Sequence, residues 1–376
     1  MPEYKIEGIL KLTSPLHVAT PGDRVINVET LEPKYGKSKG KDFVSYTGTT
    51  KYPLAFSEED MQNEEADDPN ERGVIYVPIF PANDARGRLR RLAAEKVFKV
   101  LRSRGELLTL ETYHGMTCGA VTGQPGKGLL FELALKSGRH AFLGLFGGGP
   151  RLISSSVQIH TLWPVTKTTI NAGLVSSAYE DESVLVRMNS LTKPLFYRRI
   201  DDALVFSDGR HAELSVKEYS TAVAAWIKEL GSAKSDEGDK VRHKKQLQTF
   251  GAIEYVIPGT RLYSEIKIDT ERTGLGSLGL LIHALTAFAT KQGIGGWARN
   301  GFGRFEAQFD LVTADNVRVP LLTKTDAGYE PNVDAEEVAE ALDAWATVSA
   351  TINAAELEDL YALPASTEES AEAAAA

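Results

Sequence analysis

Polar and apolar positions alternate from residue 4 to residue 13, with Tyr4, Ile6, Leu10 and Leu12 on one face. A period of two predicts a half-buried strand. Gly8 falls on the same face and leaves a gap, the mark of a bulge or a close approach. Ser14-Pro15-Leu16 ends the strand. Residues 20–73 are long, polar and irregular, and read as an insertion. Val74–Phe80 is a short apolar run closed by Pro81. Asn83 or Asp84 then caps a helix from Ala85 to about Arg104, with an apolar stripe of Leu89, Leu92, Ala93, Val97, Val100 and Leu101. A short helix is predicted over 129–137 and a strand over Arg151–Val165. Residues 166–213 are a mixed excursion, 214–231 are helical by periodicity, and 232–245 form a charged linker.

Leu247–Ile257 and Arg261–Ile268 read as strands joined at Pro258-Gly259. Residues 276–291 are an apolar helix, and a glycine-rich loop over 293–304 runs into an alternating strand with Phe305, Ala307, Phe309 and Leu311. Residues 333–361 carry one or two amphipathic helices, and 368–376 are low-complexity. Without the insertions the order is strand, helix, strand, strand, helix, strand. That is an α+β, ferredoxin-like β-α-β-β-α-β arrangement, shared by RRM-type RNA binders. The expected organisation is a palm over 1–325, an acidic helical extension over 326–361 and a disordered tail over 362–376.

Of the 376 residues, 42% are hydrophobic and 25% charged, an ordinary globular mix. No apolar run reaches the ~18 residues of a membrane helix. Met1-Pro2-Glu3-Tyr4-Lys5 lacks the basic start and apolar stretch of a secretory signal, and the single cysteine, Cys118, fits a reducing compartment, so a cytoplasmic location is expected. The net charge of −9 hides a segregation. Residues 326–376 hold 13 acidic residues and no Lys or Arg, leaving 42 basic against 38 acidic in the remainder. A second acidic cluster, 58–72, holds 8 acids beside Arg72. The rest of the body is basic, which is compatible with a polyanionic partner.

Two segments carry candidate chemistry. The helix start Pro81-Ala82-Asn83-Asp84-Ala85-Arg86-Gly87-Arg88-Leu89-Arg90-Arg91 places free N–H groups beside four arginines, a phosphate-binding combination. Helical spacing separates Arg86 and Arg90 from Arg88 and Arg91, so a subset is expected to bind. The loop Gly293–Arg304 interleaves Gly295 and Gly296 with Trp297, Arg299, Asn300 and Arg304, which suits a single-stranded nucleic acid. Its position, after a helix and before a strand, is the reverse of a dinucleotide fingerprint. Thr122–Gly128 lacks the Gly-Lys-Ser/Thr ending of a P-loop. The seven histidines show no short metal-ligand spacing, no Gly-x-Ser-x-Gly elbow is present, and the single cysteine, Cys118, excludes a disulfide and has no activating neighbour. No metal and no cofactor are expected.

The Val-Pro-Ile-Phe-Pro-Ala-Asn-Asp-Ala-Arg-Gly-Arg-Leu-Arg segment resembles the helix start of RAMP-superfamily CRISPR proteins. Gly293–Arg304 resembles their C-terminal glycine-rich loop. Leu145-Phe146-Gly147-Gly148 resembles the Leu-Phe-Gly segment of their repeat-forming backbone subunits, and the likeness, over most of residues 4–312, is greatest to the backbone subunit of type IV effector complexes. The resemblance implies an RRM-like palm with finger (20–73) and thumb (166–213) insertions. It also implies a non-catalytic subunit that polymerises head to tail along a guide RNA beside other effector subunits, and presents that RNA to target DNA or RNA. Arg86, Arg88, Arg90 and Arg91 then meet guide phosphates, the glycine loop lines the same groove, and Lys193, Arg198 and Arg199 serve the thumb. Two alternatives remain open. One is a RAMP-type endoribonuclease using His17 or an Asp of the first insertion, such as Asp23. The other is a glycine-loop enzyme acting on a nucleotide or sugar phosphate.

Overall fold

The computed structural model describes residues 3–22, 24–27, 43–55, 74–119, 131–149, 153–182, 188–200, 248–313, 315 and 317–362, with a few positions between 218 and 225. The chain divides into two compact units. One comprises Met1–Ala19, Thr50–Thr192 and Val256–Ala376, and the other Thr20–Thr49 and Lys193–Tyr255.

The larger unit is built on β1 (Glu3–Leu12). The smaller unit contributes β2 (Arg24–Asn27) and β3 (Phe43–Thr47). In the larger unit, β4 (Lys51–Ala55) pairs antiparallel with β5 (Val74–Pro78), and β6 (Val157–Ile159) and β7 (Trp163–Pro164) follow. After β8 (Thr192–Ile200) and β9 (Gln248–Val256) come β10 (Arg261–Asp269), β11 (Phe305–Val312) and β12 (Arg318–Pro320). The main sheet runs β12-β11-β1-β10-β6, antiparallel throughout, with β7 also on β10. Leaving out the edge strand β12, this is the order fourth, first, third, second of a ferredoxin-like palm, so the fold is α+β as expected.

The even positions of β1, Ile6, Leu10 and Leu12, are buried in the main core. They meet the apolar stripes of α1 (Ala82–Ser103) and, later in the chain, the helix Leu275–Lys291. Gly8 sits opposite Phe309 of β11, and a Cβ there would lie 2.3 Å from that ring. The gap in the alternation is therefore filled by a neighbour's aromatic ring. The odd positions Glu7 and Ile9 are also buried, so β1 is a central strand rather than a half-buried one. Tyr179 and Val175 of the excursion pack with Ile9 and Tyr263 on that second face.

Several expectations need correction. The strand expected over Arg151–Val165 is two short ones, β6 and β7. The Leu247–Ile257 strand does not join the palm: β9 enters a second sheet of order β2-β3-β9-β8, in which β3 and β9 run parallel. The segment 20–73 is not simply irregular, since β2 and β3 form an antiparallel pair. Strands from both insertions thus share one sheet. The helix predicted over 214–231 and the linker over 232–245 fall almost wholly outside the described residues, as do 201–213 and the 363–376 tail.

The remaining helices are α2 (Leu110–Cys118), α3 (Phe131–Arg139), α4 (Leu143–Phe146), α5 (Lys167–Asn171), α6 (Thr270–Thr273), α7 (Leu275–Lys291), α8 (Glu336–Thr351) and α9 (Ala354–Tyr361), with a hairpin of β13 (Leu322–Thr325) and β14 (Gly328–Pro331) before α8. The acidic helices α8 and α9 belong to the palm unit. Cβ atoms at Gly276 and Gly279 of α7 would stand 2.9 Å from Val348 and 2.1 Å from the Ala341 carbonyl, so these glycines let α8 approach closely. Arg104 donates to the carbonyls of Ile352 and Ser349, both at 2.8 Å, tying the end of α1 to the end of α8. Among the described residues, no helix is long and apolar enough to cross a membrane.

Candidate nucleic-acid interface

Pro81, in extended conformation (φ −62°, ψ 143°), stands at the N-cap of α1 and supplies no side-chain cap. The helix therefore begins at Ala82, and Asn83 and Asp84 occupy its exposed first turn instead of capping it. The Pro81 carbonyl accepts from the N–H groups of Asp84 and Ala85 at 3.1 and 3.2 Å. Asp84 complements the positive end of the helix dipole.

The four arginines are not a single solvated face. Arg90 is buried, with 6% exposure; Arg86 and Arg88 are half-buried; Arg91 is exposed. Arg86 donates to the Phe146 carbonyl at 2.5 Å, and Arg90 donates to the carbonyls of Phe146 and Gly147 at 2.6 and 3.1 Å. The Leu145–Gly148 segment is thus clamped to α1 by two guanidinium groups. Arg88 reaches the other way, donating to the carbonyls of Gln292 and, at 2.7 Å, Gly293. Its guanidinium lies 5.7 Å from the centre of the Phe288 ring. Burial lowers the pKa of Arg90 and of Arg88, in the latter case helped by Arg91, yet an arginine keeps its charge. Among the described residues, none of the four pairs with a carboxylate. Carbonyl oxygens accept from some of the N–H groups of Arg86, Arg88 and Arg90 but do not neutralise their charge.

The glycine loop is pinned to the exit of β1. Gly303 N–H donates to Pro15 O at 2.7 Å, and Gly296 N–H to His17 O at 2.7 Å. The Gly303 carbonyl accepts from Gly293 and Ile294 at 3.1 and 2.9 Å. Gly295 has φ +72°, and a Cβ on it would lie 2.4 Å from the His17 carbonyl. Arg88 and these contacts place the loop beside the start of α1. Between them lies a cleft of about 370 Å³, walled by Asn83, Asp84, Arg88, Arg91, Gly295 and Gly296 among others.

The cleft therefore gathers Asn83, Arg88, Arg91, Gly295 and Gly296 of the expected site. Arg86 and Arg90 line other cavities around α1. Trp297 is half-buried at φ +60°, its ring 5.9 Å from that of Phe302. Arg299, Asn300 and Arg304 are exposed on the loop but do not line the cleft. Lys193, Arg198 and Arg199 lie on β8, Lys193 exposed. His17 is 2% exposed beneath the loop, and Asp23 lies outside the described residues. The walls that sequence reasoning missed are Val18, Ala19 and Phe80. Only the apolar run ending at Phe80 gave a signal.

Among the described residues, the second face of the palm sheet carries a network of paired charges. Register places Glu7 between Glu265 and Asp310 on adjacent strands. Lys5 bridges Glu7 and Glu265 at 2.6 and 3.2 Å, and Arg318 pairs with Glu7 and, at 4.0 Å, Asp310. Arg318 also donates to the Tyr179 hydroxyl at 2.6 Å. Burial raises the pKa of Asp310. Carboxylates stand where an RRM sheet stacks bases on aromatic rings. Among the described residues, no group of three or more His, Cys, Asp or Glu side chains is arranged to hold a metal ion.

The fold and this geometry define a ferredoxin-like α+β protein with an arginine-walled cleft between a helix start and a glycine loop. No family model and no curated protein match the chain. Among solved structures, the chain is similar to one from a "Type IV-B CRISPR Complex", with a TM-score of 0.42 and 14% sequence identity, over 86% of this chain and 96% of that one.

Proposed function

We propose that this chain is a non-catalytic backbone subunit of a CRISPR ribonucleoprotein complex, holding guide RNA by its sugar-phosphate backbone. The observation that carries the reading is the set of four α1 arginines with no carboxylate partner among the described residues, two of them walling the cleft that the glycine loop completes. A buried cation without a counter-ion is costly, and a bound phosphate relieves that cost. Arg91 at the rim supplies an exposed fork for phosphate oxygens, and Arg88 holds the loop in place while adding its charge from behind. Loop backbone and helix start face the cleft, so the site reads backbone and shape and leaves base edges free for pairing with a target. Head-to-tail contacts between copies extend such a groove along one RNA.

The test is the nucleic acid that accompanies the protein from a native-like host. A uniform, RNase-sensitive RNA with a repeat-derived end, in a large assembly, is expected. A protein that remains a nucleic-acid-free monomer after guide RNA is added contradicts the proposal and favours a small-phosphate ligand for the same cleft.

A further inference from the structure

A second cavity, of about 320 Å³, opens on another side of the α1 start, lined by Arg86, Arg90, Arg91, Cys118, Gly119 and Gly148 among others. Arg90 lies at its base. The Nη2 atom is committed to the Phe146 and Gly147 carbonyls, whereas the buried Nη1 atom has no hydrogen-bond partner. Cβ atoms on Gly119 and Gly148 would stand 2.8 and 3.4 Å from Nη1, so the two glycines leave the room this guanidinium occupies. The Tyr361 hydroxyl, which interacts electrostatically with Arg90, is also buried without a partner. The buried Nε of Arg86, which also lines the cavity, has no partner either. Two unsatisfied arginine N–H groups on the wall of one cationic cavity call for a missing acceptor. No carboxylate among the described residues supplies one.

We infer that this cavity is a phosphate subsite, with Arg86 and Arg91 at the rim, the buried Arg90 charge behind them and the Cys118 thiol at its mouth. It shares Asn83, Gly87 and Arg91 with the cleft, so a strand leaving the cleft passes over Arg91 into it. The source of the phosphate rests on the RNA reading; the anion chemistry does not.

Cys118 is exposed and is the only cysteine of the chain, which makes its alkylation a site-specific reporter. The alkylation rate with neutral iodoacetamide is measured for the full chain alone, with inorganic phosphate, and with one oligoribonucleotide bearing either a 5′-phosphate or a 5′-hydroxyl. RNA binding is followed in parallel by fluorescence anisotropy. Filling the subsite slows alkylation about tenfold when the probe is at ten times its dissociation constant. Protection by both oligonucleotides assigns an internal phosphodiester, protection only by the 5′-phosphorylated one a terminal phosphate, and protection by inorganic phosphate a self-sufficient anion site. Bound RNA with Cys118 reacting at its free rate, and no effect of phosphate, overturns the inference and leaves the RNA reading standing. Protection by phosphate without RNA binding does the reverse.

Discussion

Gly301 and Gly303 form a matched pair for testing whether the glycine loop is a built wall of the cleft. Both have positive φ, +82° and +73°. Placing alanine in that conformation costs about 1–2 kcal/mol at either position. The surroundings differ. A Cβ on Gly301 meets nothing within 4 Å, whereas one on Gly303 would stand 1.9 Å from the Ile294 carbonyl oxygen. To relieve that clash the loop must open by more than ~1 Å, since non-bonded carbon contacts settle near ~3.5 Å. Opening removes the bonds from Gly293 and Ile294 to the Gly303 carbonyl and from Gly303 to Pro15. At about 1 kcal/mol net each, Gly303→Ala loses about 3 kcal/mol more than Gly301→Ala. Amide hydrogen exchange at Ile294 and at position 303 reads this as roughly hundredfold faster local opening in Gly303→Ala than in Gly301→Ala. RNA affinity falls with it, although no charge has been removed. Equal exchange and equal affinity in the two variants would refute the argument that backbone packing of this loop shapes the site.

Other consequences follow from the same structure. Arg91→Gln, at an exposed position, leaves stability within about 0.5 kcal/mol and makes the log–log salt dependence of RNA binding shallower by about 0.7, read by anisotropy at several salt concentrations. Gly279→Ala forces α8 away from α7, and its overpacking outweighs the gain in helix propensity; urea unfolding should show about 1–3 kcal/mol of destabilisation. His140 is buried, accepts from the N–H groups of Phe142 and Leu143 at its Nδ1, and has its pKa pushed down to about 4, chiefly by burial and then by Lys136. The unfolded chain therefore takes up a proton that the folded one refuses. Stability is full above about pH 6.5 and falls by about 3 kcal/mol as pH drops toward 4. His140→Gln removes that slope in a urea series across pH.

Local pattern was legible where local contacts decide it. The alternation from Tyr4 to Leu12 located the first palm strand, and the gap at Gly8 marked the place where Phe309 lies. The α1 stripe gave the buried face of the helix, but Pro81, in extended conformation, stands at the N-cap, so Asn83 and Asp84 are already helical and cannot cap it. Charge on a helix wheel misled at Arg90. Spacing paired it with Arg86 and gave no sign of its burial, whereas its guanidinium reaches the carbonyls of Phe146 and Gly147, more than fifty residues on. The pairing of β3 with β9 was illegible for a similar reason: the strands are 200 residues apart and parallel, and no turn between them carries a signal. The charged sheet face was equally hidden, since Glu7, Glu265 and Asp310 become neighbours only through strand register. Of the site, the two segments could be read from sequence; that Arg88 joins them into one cleft could not.

The central claim is that the α1 arginines and the glycine loop hold a nucleic-acid backbone. Its most direct test is the affinity of the intact protein for an unstructured RNA across a range of salt concentrations. With up to four guanidinium groups near the strand, the account predicts a straight log–log plot of slope about −3, with affinities nearly equal for RNAs of different sequence. Absence of binding at low salt, or an affinity that does not change with salt, contradicts it.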